Sequence, residues 1–120
     1  TDRRLKKDIV GLHNSPNKIN KLNGYHYHWK AADRDQSLQT GLIAQEVQAL
    51  FPELVSTGEA GYLSVNYIGL IPHLIEAVKD LQKENESLKA ASFDYVNRMT
   101  SIEEKLNLLI FGNVVDAAHN

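Results

Sequence analysis

Cysteine is absent from this chain, which removes disulfides, thiolate nucleophiles and cysteine-based zinc sites and leaves the redox compartment open. No apolar run approaches the roughly 20 residues of a membrane span, and the charged start leads into no signal-peptide core, so the sequence reads as soluble with no membrane partner. Neither sign of charge dominates. The 13 Lys and Arg stand against 15 Asp and Glu, which gives no whole-protein field for nucleic acid or an anionic surface. Arg3, Arg4, Lys6 and Lys7 form a basic cluster, but a local one, and nucleic acid is not expected as a partner. Gly41, Gly58 and Gly61 make no phosphate-binding pattern, and no cofactor is expected.

What is there fits one modest domain of 120 residues written in two styles. From Asp8 to about Tyr67, apolar residues sit in short segments separated by turn residues, the pattern of a small α+β unit. Asn14-Ser15-Pro16-Asn17 reads as the cap of a short helix through Lys18 to Leu22, and Asn23-Gly24 as a turn. Tyr25, Tyr27 and Trp29 alternate with His26 and His28, which predicts a half-buried strand with its aromatics in the core. The span Thr40 to Phe51 predicts a helix, with Ile43, Val47, Leu50 and Phe51 on one face and Pro52 as its stop. Two further strands, about Leu54 to Ser56 and Tyr62 to Tyr67, are joined by a glycine-bearing loop. A unit this small, with few large apolar side chains, is expected to lean on a partner or on the rest of the chain.

The rest is a heptad repeat. Ile71, Val78, Asn85, Ser92, Met99 and Leu106 fall at a, and Leu74, Leu81, Leu88, Tyr95, Ile102 and Leu109 at d. A large residue at every d position predicts a coiled coil, roughly 60 Å long if unbroken. Glu84 with Lys89, and Arg98 with Glu103, place attractive charges at g and the following e, while Ile75, Val96 and Ile110 at e widen the stripe toward three or more strands. Asn85 is expected to fix the register. The alternative is a helix broken near 92–100, with Thr100 or Ser101 capping a second helix that folds back. The organisation is therefore read as 1–67 globular, 68–112 coiled-coil helix and 113–120 tail.

Chemistry enters at residue 1. Thr1 lies five residues before Lys6, and a hydroxyl beside a neutral amine can become a base-activated nucleophile. Alone, such a pairing is more often a solvated terminus. His26 and His28 share a strand face, but spacing supplies no third metal ligand and no metal is expected. His13, His73 and His119 stand alone and read as solvated or hydrogen-bonded. Glu46 has three readings: an acid in catalysis, a carboxylate orienting the N-terminal bases, or a solvated side chain.

Four ordered blocks, TDRRLKKDI, KLNGYHYHWK, TGLIAQEVQALFPELV and YLSVNYIGLIPHLIEAVKDL, carry a resemblance across residues 1 to 90. Together they resemble the C-terminal intramolecular chaperone and auto-processing domain of phage tailspikes, tail fibres, neck appendages and endosialidases. The resemblance implies a homotrimer that registers an upstream β-structured fibre segment of its own precursor during assembly in the host cytoplasm. It also implies that the module then cuts itself off, leaving the upstream product in the virion. The family's cut uses the pattern Ser-Asp-x-x-x-Lys, which falls here on Thr1, Asp2 and Lys6, so Thr1 and Lys6 are the implied catalytic pair and the cut falls just before Thr1. Threonine keeps the hydroxyl, but its β-branch restricts χ1 where the family has serine. A chain opening on this residue is what the cut would leave, and equally what excision from a longer chain would give. A trimerisation module without chemistry is the other reading.

Overall fold

Local turn chemistry sets the first elements of the computed structural model, which describes residues 1–119, with side chains described through Gly112. Contacts divide the chain into Thr1–Leu81 and Gln82–Asn120. In the first unit a 3-10 turn at Arg3–Leu5 precedes helix α1, Ser15–Ile19. Asn14 enters α1 with φ 65°, a left-handed conformation that asparagine tolerates better than most residues. Pro16 follows in the first turn, where its missing N–H costs no hydrogen bond.

Strand β1, Tyr25–Tyr27, pairs antiparallel with β2, Gln39–Gly41, in the register Tyr25 to Gly41. Helix α2, Ala44–Leu50, then runs to Phe51, and Pro52 starts a 3-10 turn, Pro52–Leu54. Strands β3, Val55–Thr57, and β4, Leu63–Val65, form a second antiparallel pair closed by a loop in which Gly61 takes φ 82°. The expected hairpin is thus present. The helix expected from Thr40 is shorter, because Gln39–Gly41 is a strand and Ile43 is extended at φ −96°, ψ 122°. Glycine is required at 41: a Cβ there would lie 2.8 Å from the Tyr67 hydroxyl, which accepts a 2.9 Å hydrogen bond from the Leu42 N–H.

Val47, Phe51, Leu54 and Leu70 form the buried core, with Ile19, Leu22, Leu42, Leu50, Val55 and Val65 packed partly buried around it. Leu70 opens helix α3, Leu70–His119, so the small core does borrow from the long helix. Gly69 permits this approach, since a Cβ on it would meet the Leu54 side chain. The aromatics expected in the core lie at its margin instead. Tyr25 is 38% and Trp29 37% exposed, because a two-stranded β1–β2 sheet has no second layer to cover that face. Trp29 packs in an edge-to-face pair with Tyr27 at 5.1 Å, and the Arg34 guanidinium lies 4.2 Å from its ring centre.

Helix α3 runs without a break through 92–100, so the fold-back alternative does not occur. Pro72 falls in its first turn, where the helix has no N–H bond to lose. The side chains of the expected tail, 113–120, lie outside the described residues.

Candidate functional site

The N-terminal arm is built by one carboxylate. Asp2 Oδ1 accepts a 2.8 Å bond from the Arg4 backbone N–H, and the Arg4 guanidinium donates to both carboxylate oxygens, at 3.1 Å through Nε and 2.7 Å through Nη2. This is an N-cap, and the turn behind it is closed by Leu5 N–H to Asp2 O and Lys6 N–H to Arg3 O, both 3.1 Å. The side-chain bonds from Arg4 first, and its backbone N–H second, hold the Asp2 carboxyl below its ordinary range. The carboxylate is therefore ionised at neutral pH, and its ion pair with Arg4 is lost only as pH falls through that lowered value.

Lys6 closes this turn and Thr1 lies one residue before the Asp2 cap, and residues 1–14 are all exposed. No hydrogen bond joins Thr1 to Lys6 among the described residues. The arm thus brings the two groups to the ends of one turn but does not pair them. Arg4 is engaged with Asp2, so of the basic residues around Lys6 it is the one whose charge is already matched.

Helix α3 carries the second feature, an apolar stripe on a side the core does not use. Successive helical residues advance by about 100°, so Leu70, His73 and Ala77 share one side, the buried or partly buried one. Ile71, Leu74, Ile75 and Val78 fall in a stripe roughly 100° wide on another side. At the predicted register positions Ile71, Leu74, Val78, Leu81 and Leu88 the side chains are 47–65% exposed, and Asn85 is exposed between them. In the second unit, taken by itself, Tyr95, Met99, Ile102, Leu106 and Leu109 continue the pattern at 53–70% exposure. Fully burying one such leucine is worth about 1.5–3 kcal/mol, so leaving this row in water forgoes a large stabilisation. Arg98 makes a 3.8 Å in-helix pair with Asp94.

A third cluster escaped the reading of the sequence. Ser15, the first buried residue of the chain, shares a 2.9 Å hydrogen bond between its Oγ and Nδ1 of buried His73, across 58 residues of sequence. The His73 ring lies 4.4 Å from that of Phe51, and its Nε2 is 3.8 Å from Glu53 Oε1. A serine, a histidine and a carboxylate in a row invite a catalytic reading, but Ser15 is 1% exposed and has no room for a substrate. The bond anchors α1 to α3. Ser15→Ala is expected to lower stability by about 1–3 kcal/mol in urea denaturation, by leaving a buried ring nitrogen without its partner. A loss below about 0.5 kcal/mol would contradict that role. The other candidates have structural partners: Glu46 accepts a 2.9 Å bond from the Tyr25 hydroxyl, His26 Nδ1 is 3.0 Å from Thr40 Oγ1, and His28 Nδ1 is 3.1 Å from the Gln36 carbonyl.

A small α+β lobe thus leads into a long helix with an exposed apolar stripe. Residues 1–56, a little under half of the chain, match the family described as chaperone of endosialidase, whose family name is that of a peptidase. The chain is similar to the long tail fiber protein Gp37 of Escherichia phage AR1, 44% identical over 78 residues that cover 59% of this chain and 7% of that protein. It is also similar to the long tail fiber protein Gp37 of Salmonella phage S16, 34% identical over 97 residues, 74% of this chain and 13% of that protein. The second match is too long to be confined to residues 1–56. The chain spans only a small fraction of either relative.

Proposed function

We propose that this module associates as a homotrimer through α3, holds three upstream fibre segments of its own precursor in register while they fold, and is then released by a cut just before Thr1. The observation that carries this reading is the apolar stripe of α3, which the chain's own core leaves empty. A trimeric β-fibre must form many non-local and intermolecular pairings before any of them stabilises it, and holding three chains together raises their local concentration. Asn85 at an a position and the Glu84/Lys89 and Arg98/Glu103 pairs suit a single parallel register.

In the cut, the neutral Lys6 amine takes the proton of the Thr1 hydroxyl, and the oxygen attacks the carbonyl carbon of the preceding residue. The C–N bond breaks as the Thr1 nitrogen takes a proton, leaving an ester. Water then cleaves the ester, freeing the upstream carboxylate and returning the hydroxyl to Thr1. A lysine needs its pKa lowered by about three units, roughly 4 kcal/mol, to act as base near neutral pH. Lys6 is exposed in the single chain. Burial between protomers supplies the missing desolvation, so cleavage follows assembly.

Thr1 in place of serine favours the second reading, a trimerisation module that no longer cuts. Expressing the domain behind its native upstream residues and weighing the products separates the two. Fragments that divide before Thr1 are expected; a single uncut chain in stable trimers would leave the structural role alone.

A further inference from the structure

We infer that Asp2 is a positioning residue for this cut, acting through its bond to the Arg4 backbone N–H rather than through its charge. The inference rests on the cleavage reading above and deepens it. Between residue 1 and residue 6 an extended chain would separate the Cα atoms by about 17 Å, too far for a threonine and a lysine side chain to meet. A 3-10 turn rises only about 2 Å per residue, which removes several ångström from that span.

The backbone shows where this shortening happens. Asp2 is extended at φ −71°, ψ 131° and Lys6 at φ −115°, ψ 146°, so all the compaction lies in Arg3–Leu5 between them. Nothing in the core supports those residues, since the arm is exposed from Thr1 to Asn14. The turn's own bonds hold it, and the Asp2 cap is the one made by a side chain to the backbone.

The cap and the ion pair are separable. The Arg4 side chain is 89% exposed, and an exposed pair of this kind contributes little. A capping oxygen matters more. Asparagine and serine supply one without the charge, whereas alanine supplies none. The chain carrying its native upstream residues is therefore compared with Asp2→Asn, Asp2→Ser, Asp2→Ala and Arg4→Ala for rate of cutting, trimer content and thermal midpoint.

Asp2→Ala is expected to cut roughly five- to tenfold more slowly, with trimer content and thermal midpoint unchanged. Asp2→Asn, Asp2→Ser and Arg4→Ala are expected to stay within about twofold of the parent. Equal losses in Asp2→Asn and Asp2→Ala would assign the effect to charge and overturn the inference, as would parent-like cutting by Asp2→Ala. Hydrogen exchange at the Arg4 amide reads the cap without the cut. Protection is expected in the parent and in Asp2→Asn and its loss in Asp2→Ala, while exchange equal in all three overturns the cap whether or not the chain cleaves. Absence of any cut alongside a protected Arg4 amide would count against the cleavage reading alone.

Discussion

Lys6→Ala, in a chain that carries its native upstream residues, is expected to give intact trimers that remain uncut. The expectation follows from separation of parts. Lys6 lies on the exposed arm, nine residues before the first buried side chain, Ser15, and belongs to neither the Val47, Phe51, Leu54 and Leu70 core nor the α3 stripe. Its removal therefore leaves folding and association alone. A positioned general base contributes about 10²- to 10⁴-fold, so the uncut species dominates over any ordinary expression time. Arginine at this position is a useful companion, because it keeps the positive charge but cannot serve as a base. Mass spectrometry of the purified variants checks both. Normal cleavage in Lys6→Ala would remove Lys6 from the role, and rescue by Lys6→Arg would recast it as an electrostatic one.

The second large effect is expected from the seam. Leu81→Asp combined with Leu88→Asp places charges at two neighbouring d positions, where each protomer of a trimer would bury them against two copies of itself. An unpaired buried charge costs several kcal/mol, and three copies of each converge, so association is expected to fail outright. The lobe is expected to survive, since neither leucine belongs to its core. Helical signal is expected to fall, because a helix with no partner for its apolar face loses most of its support. The cut is expected to be lost with the trimer, even though Thr1, Asp2 and Lys6 are untouched. A monomer that still cleaves would break the link between assembly and chemistry. A trimer that persists would show that the stripe is not the association surface.

Much of this architecture was legible in residue order, and the parts that were not share a cause. The Tyr25–Tyr27 strand and the Val55 to Val65 hairpin announced themselves through alternation and glycine turns, and α3 through its heptads, all of which are local patterns. Strand β2 was hidden, since Gln39–Gly41 runs into an apolar helical period and becomes a strand only by pairing with β1. The aromatics were misplaced for the complementary reason. Alternation tells which face they share, and only the number of layers tells whether that face is covered. Ser15 and His73 are linked across 58 residues, a distance over which no sequence period operates. At the candidate site, Thr1, Asp2 and Lys6 were readable from spacing and resemblance. The Arg4 side chain, one of the basic cluster in the sequence, pairs with the Asp2 carboxylate in the structure.

Everything proposed for this chain depends on the α3 stripe being filled by two further copies. Sedimentation equilibrium of the 120-residue chain over a range of loading concentrations reads this directly. The predicted result is a single species of three times the chain mass that persists on dilution. A species of one chain mass at all concentrations, with the helix still formed, would contradict the account.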